Sequence, residues 1–168
     1  MTVVCRPATT ADLDGIATVR IRTWQDAYRG IMPQDFLDAL TPAAEAERLR
    51  RRDLPPGNSV AELDGAVVGW SAVGPYREED VPAPQPGCGE IIAIYVLPGH
   101  QRAGVGRMLL AYSLEQLGEL RPALLWVARD NAPARRFYER YGFRADGATQ
   151  TFAVGGTEVP ELRYRYPA

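Results

Sequence analysis

The run from Glu90 to Leu110 constrains this chain more than any other feature. It reads Glu90-Ile-Ile-Ala-Ile-Tyr-Val-Leu-Pro-Gly-His-Gln101-Arg-Ala-Gly104-Val-Gly106-Arg-Met-Leu-Leu110. Ile91 to Val96 is apolar without alternation. That is the pattern of a strand covered on both faces, and such strands lie inside sheets flanked by helices. A turn follows, and two glycines open a helix whose apolar spacing runs over Gly104–Leu120. Glycine lets a ligand come close to the backbone, and a helix N-terminus offers unpaired N–H groups at the positive end of its dipole. Strand, glycine turn and helix therefore predict a pyrophosphate cradle made of amides. Such a cradle needs no lysine, and all 19 basic residues here are arginine. A side chain added at Gly104 or Gly106 is expected to intrude where the ligand lies. The third glycine of a dinucleotide fingerprint and the Gly-Lys-Ser/Thr of a P-loop are both missing, which leaves a glycine-loop nucleotide binder only as a rival.

The rest of the chain builds a sheet around that strand. Val3 to Arg6 is a short strand. Thr9-Thr10-Ala11-Asp12 caps a helix that carries Leu13, Ala17, Trp24 and Tyr28 at three- to four-residue multiples. Pro33 to Leu40 is a second short helix, and Thr41-Pro42 starts a third that ends at Arg50-Arg51-Arg52, where cations suit the helix dipole. Val60 to Leu63 and Ala66 to Val73 flank Asp64-Gly65, a two-residue hairpin signal. Gly74 to Gly89 is a long loop with four prolines. Leu124 to Val127 is a further buried strand, Pro133 to Tyr141 a helix closed by Gly142, and Arg144 to Tyr166 two strands joined at Gly155-Gly156. Antiparallel strands ahead of a strand–helix–strand unit predict a mixed α/β sheet with helices on both faces. No repeat or linker divides it, so one domain spans 1–168.

Counts of particular residues exclude several chemistries. Two cysteines, Cys5 and Cys88, and one histidine, His100, cannot supply a Cys/His zinc site, and no metal is expected. A formal charge of −2 and a pI near 5.5 argue against nucleic acid as partner. The longest apolar run, Ile91 to Leu97, falls far short of the ~20 residues that span a bilayer, so no membrane is expected either. Met1 to Thr10 shows no signal-peptide pattern, so a cytoplasmic chain with free thiols is expected.

The sequence resembles the GNAT superfamily of N-acetyltransferases. The family's Gln/Arg-x-x-Gly-x-Gly/Ala signature after a strand is matched by Gln101, Gly104 and Gly106. A second block, Leu125 to Phe143, is similar through Asn131, Phe137-Tyr138 and Gly142-Phe143 at the family's spacing, and Trp24 to Pro33 resembles the opening helix of many bacterial members. The resemblance implies a mostly antiparallel, twisted sheet of six to seven strands with a splayed parallel central pair, flanked by four to five helices. It implies acetyl-CoA as co-substrate and direct acetyl transfer to an amine in a ternary complex. Backbone groups of Ile94, Tyr95 and Val96 would pair with the pantetheine arm. Amides of Arg102, Ala103, Gly104, Val105, Gly106 and Arg107, next to the signature residue Gln101, would hold the pyrophosphate. Asn131 would touch the cofactor where the central strands part, and Tyr138 would protonate the leaving thiolate. Glu90 matches the position of a catalytic glutamate in some members; others carry it on the next strand, where this chain has Trp126. Glu90, a water chain and the substrate's own free base stay open as the base.

Several residues carry a plainer reading beside a functional one. His100 reads as a solvated loop histidine. Trp24 and Tyr28 are core aromatics or walls of an acceptor pocket, while Trp70 and Tyr76 read as packing. Arg135 and Arg136 read as a solvated helix face, with a reach to the 3′-phosphate of CoA as the alternative. Cys5 and Cys88 read as inert buried thiols. Small-molecule and peptide amines are both open as acceptors, and Glu78-Glu79-Asp80 hints at a cationic one. Family members are often dimers, so a homodimer stands beside a monomer. A catalytically silent acyl-CoA-binding or regulatory module on the same fold is the alternative function, and Tyr138 argues against it.

Overall fold

The computed structural model describes residues 2–167. Its strands are β1 (Val3–Pro7), β2 (Asn58–Leu63), β3 (Ala66–Pro75), β4 (Gly89–Val96), β5 (Ala123–Ala128), β6 (Arg144–Val154) and β7 (Thr157–Tyr166). Its helices are α1 (Leu13–Ala27), α2 (Gln34–Ala39), α3 (Pro42–Arg50), α4 (Val105–Leu117) and α5 (Ala132–Arg140). All seven strands form one sheet in the order β1-β2-β3-β4-β5-β7-β6, antiparallel except for the central pair β4 and β5. The expected mixed α/β architecture is present.

Local chemistry accounts for most boundaries. Asp64 and Gly65 both take positive φ, 51° and 82°, which lets the β2–β3 hairpin turn in two residues. The Thr41 hydroxyl accepts from the Ala44 amide at 3.2 Å, and Pro42 occupies the first turn of α3. α4 stops at Leu117, earlier than its apolar spacing suggests, because Gly118 leaves helical geometry at φ 55°.

The sheet is buried on two sides. Ile16 and Val19 of α1 pack on Val60, Trp70 and Ala72. Across the sheet, Leu110 and Leu117 of α4 join Tyr138 and Phe143 against Val73, Ile91, Leu125 and Val127. Each fully buried leucine of this kind contributes about 2 kcal/mol. One polar pair crosses that core, Ser113 to Ser71 at 2.9 Å, fixing α4 over β3. The proline-rich loop 76–88 is held at its ends and middle. The Tyr76 amide donates to the Cys88 carbonyl at 3.0 Å, its hydroxyl to the Val81 carbonyl at 2.9 Å, and Arg163 donates to the Pro82 carbonyl at 2.8 Å. Among the described residues no helix is long and apolar enough to cross a membrane.

Two expectations change. β4 is not covered on both faces along its whole length: Ile92 is 40% exposed, because β5 diverges from β4 after two residue pairs. Cys88 is buried as expected, whereas Cys5 is half-buried, being on a strand at the edge of the sheet.

Candidate active site

β4 and β5 pair only through Gly89–Ala123 and Glu90–Leu124, and beyond these a cleft of about 1110 Å³ opens between them. The register between β3 and β4 shifts at Ala72–Val73, leaving Ile92 opposite no residue of β3. Ile94, Tyr95 and Val96 line the β4 side of the cleft, where the family resemblance implies an added-strand contact. The Val96 carbonyl is already engaged, accepting from Gln101 Nε2 at 3.0 Å and Thr23 Oγ1 at 3.3 Å. Gln101 thus spends its amide on holding the end of β4.

The glycine turn closes one end of the cleft. Arg102 and Gly104 both have positive φ, 63° and 86°. Alternating torsions of this kind gather successive N–H groups into an anion-binding concavity. Among the described residues, the amides of 102–107 donate to no protein acceptor; Met108 is the first that does, to the Gly104 carbonyl at 3.0 Å. A Cβ at Gly104 would stand in open space. One at Gly106 would rest 3.5 Å from the Phe137 ring, an ordinary contact, and Gly106 and Phe137 both line the cleft. Five arginines (29, 102, 107, 136 and 140) line the cleft against two aspartates, Asp26 and Asp130. Free amides, excess positive charge and apolar walls fit a polyphosphate carrying an extended arm, the chemistry of CoA.

Asn131 lines the cleft and also caps α5, its Oδ1 accepting from the Ala134 amide at 3.2 Å. Pro133 in the first turn favours the same helix start. Two turns beyond Asn131, α5 puts Tyr138 into the cleft, 9% exposed and edge-on to Phe137 and Phe143. Burial, then the neighbouring Tyr95, pushes its phenol far up, so it stays protonated and able to donate. Among the described residues nothing hydrogen-bonds the Tyr138 hydroxyl, and the buried Tyr141 hydroxyl, also in the cleft, has no partner. Sequence reasoning missed Tyr141; the one available signal was its place on the helix face that carries Phe137 and Tyr138.

Glu90 is neither an exposed strand end nor a free carboxylate. It is 2% exposed and accepts from Arg77 three times: the amide at 3.0 Å, Nε at 3.1 Å and Nη2 at 2.8 Å. A buried charge needs such partners, and these occupy both oxygens. Arg163, 6% exposed, lies 5.8 Å from the Trp126 ring and donates to Asp146 at 2.7 Å. Glu161 stands opposite Ala128 across β5 and β7, half-buried, and among the described residues has one donor, Gln150 Nε2, at 2.7 Å. Arg77, Glu161 and Arg163 went unnoticed in the sequence, where nothing local marks them.

The weaker candidates sort cleanly. Trp24 donates its indole N–H to the Tyr95 hydroxyl at 3.1 Å, and Tyr28 lines the cleft. Trp70 packs in the α1 core and donates to Asn58 at 2.8 Å, and Tyr76 anchors the proline loop. Arg135 turns away to the Tyr164 hydroxyl and the Arg129 carbonyl, both at 3.0 Å, while Arg136 faces the cleft. His100 is half-buried rather than solvated, with Nδ1 buried and unpartnered beside a hollow lined by Arg22, Gln25, Asp26 and Arg29.

Comparison with known proteins agrees with this geometry. The profile of the Acetyltransferase (GNAT) family matches residues 21–143. "Uncharacterized N-acetyltransferase YuaI" of Bacillus subtilis is 32% identical over 168 residues, covering 98% of this chain and 93% of that protein. "Probable N-acetyltransferase Rv2775" of Mycobacterium tuberculosis is 31% identical over 165 residues, covering 95% and 91%. Among solved structures, the PaiA N-acetyltransferase of Thermoplasma acidophilum in complex with coenzyme A superposes with a TM-score of 0.70 at 18% identity, covering 99% of this chain and 100% of that one. With an amide cradle, a splayed central pair and a matching profile over most of its length, the chain belongs to the GNAT acetyltransferase family.

Proposed function

We propose that this chain is an acetyl-CoA-dependent N-acetyltransferase that passes the acetyl group directly to a small-molecule or peptide amine. The observation that carries the reading is one continuous cleft: unpaired amides of 102–107 line one stretch of it and the protonated Tyr138 phenol another. Amides and arginines hold the phosphates, and the diverging edge of β4 receives the pantetheine arm. Tyr138 gives its proton to the thiolate as the C–S bond breaks. A free phenol near ~10 lies about 1.5 units above a thiol near ~8.5, and the same apolar walls that raise the phenol also desolvate the departing sulfur. Glu90 holds Arg77 and through it the start of the proline loop, a positioning task that its three bonds support.

The test is Tyr138→Phe with acetyl-CoA and a panel of primary amines, read by a free-thiol reagent. Acetyl-CoA affinity should stay near wild type while kcat falls about 10- to 1000-fold, reaching into the ~10²–10⁴-fold that a positioned general acid contributes. An unchanged kcat removes the acid assignment. A wild-type chain that binds CoA but turns over none of the amines is a silent acyl-CoA module.

A further inference from the structure

We propose that Glu161 receives the acceptor's ammonium group, takes its proton before attack, and so selects cationic primary amines. The inference rests on the acetyl-transfer reading above and names the substrate class and base for that site.

Placement comes first. Residues directly opposite in an antiparallel pair carry their side chains on one face, with Cβ atoms about 5 Å apart. Glu161 is opposite Ala128, and Arg163 is opposite Trp126, with both β5 residues lining the cleft. Val159, two residues earlier and hence on the same face, packs with Trp24, Tyr28, Met32 and Leu37. The carboxylate thus lies on the sheet face that α1 and α2 leave partly open, between an aromatic wall and Trp126. Tyr138 packs with the core on the opposite face. A proton taken at Glu161 and a proton given at Tyr138 would therefore act on the thioester from its two sides.

Charge comes second. On this face the Glu90 carboxylate is matched by Arg77 at 2.8 Å and the Arg163 guanidinium by Asp146 at 2.7 Å. Glu161 has only the neutral amide of Gln150, on Oε2; among the described residues no cation pairs with it and nothing donates to Oε1. A half-buried carboxylate in that condition lacks a partner, and an ammonium supplies one. The groups that act on it are few. Burial raises its carboxyl, Gln150 lowers it, Glu90 raises it and Arg77 lowers it, with a net rise. Tyr28 and Tyr95 sense its charge in turn: burial is the main cause of their raised phenols, and Glu161 adds to it. A carboxylate raised towards neutrality is a better proton acceptor than a free one.

The step balances. Glu161 takes one proton from R–NH3+, and the free amine attacks the thioester carbonyl. The tetrahedral adduct expels the thiolate, which takes the Tyr138 proton as the C–S bond breaks. The second nitrogen proton restores Tyr138, and Glu161 releases its own to water.

The experiment compares two nucleophiles on Glu161→Gln: the best amine of a panel (tyramine, spermidine, glucosamine, an alanine-ended peptide) and hydroxylamine, which is mostly unprotonated at neutral pH. With the panel amine, kcat/KM at pH 7 should fall about 100-fold. The deficit should close as pH rises toward the amine's own pKa. With hydroxylamine the loss should be less than about threefold. Glu161→Asp, which keeps the charge, should retain the wild-type pH profile at a lower rate. Equal losses with both nucleophiles, or a Glu161→Gln profile that overlays wild type, overturns the proposal. Tyr138→Phe separates the two readings, because it should slow both nucleophiles alike; a failure there falls on the acid assignment and leaves the base assignment standing.

Discussion

At the scale of single residues, the cradle is decided by backbone. Gly104 has φ 86°, a torsion that costs an L-residue roughly 1–2 kcal/mol, and its missing Cβ faces open space in the cleft. Gly104→Val should therefore weaken CoA binding at least tenfold in calorimetry, while Arg102→Ala, which keeps its amide, should cost threefold or less. The reverse ranking would make side-chain charge the main holding force. This much was legible in the sequence, because a helix-opening Gly-x-Gly turn is a local signal. What a side chain at Gly106 would touch was not legible there, because its neighbour Phe137 is brought in by α5 from thirty-one residues on. Tyr138 also fixes a pH expectation. Its phenol is raised, so its proton is lost only above the free value near ~10, and kcat should show no fall from this group between pH 7 and 10.

At the scale of elements, α5 is capped by a residue that also lines the cleft. Asn131 Oδ1 caps the helix and its backbone amide donates to the Ala128 carbonyl at 3.0 Å, while among the described residues its side-chain Nδ2, at the cleft, donates to no acceptor. Asn131→Ala removes the cap along with the side-chain amide and should lower stability by about 1 kcal/mol, a melting shift of about 2–4 °C. Asn131→Asp retains the cap and should melt near wild type, so a loss of CoA affinity in that variant isolates the cofactor contact. Another element-level device lies at the sheet edge. Arg6 of β1 donates to Asp12 at 2.8 Å and to Glu62 of β2 at 2.7 Å, tying the entry of α1 to two strands. Hydrogen bonds from Arg6 are the main cause that holds the Asp12 carboxyl at about 2, against 3.8 when free. A depressed folded value means stability that is present above pH 4 and lost as pH falls towards 2. Asp12→Asn should therefore be destabilised by about 1–2 kcal/mol at pH 7 and converge on wild type in acid melts.

At the scale of the whole molecule, CoA at a hundredfold excess over its Kd should add about 2.7 kcal/mol and raise the melting temperature, with NAD and ATP falling short. An equal shift with ATP would mean that the cleft reads phosphates without the arm. The sequence by itself determined what local periodicity and turn chemistry can encode: the apolar β4 run, the glycine turn into α4, the Asp64-Gly65 hairpin, and Tyr138 on its helix. Tertiary structure decided the rest. β7 inserts between β5 and β6, so Glu161 meets Ala128 across thirty-three residues of chain, and no local pattern announces which strand becomes the neighbour. Arg77 reaches Glu90 only because the proline loop returns on itself, turning a candidate base into a paired, buried charge. Side-chain chemistry is written residue by residue. Which charges are left unpaired depends on contacts between distant segments, and those exist only once the sheet has formed.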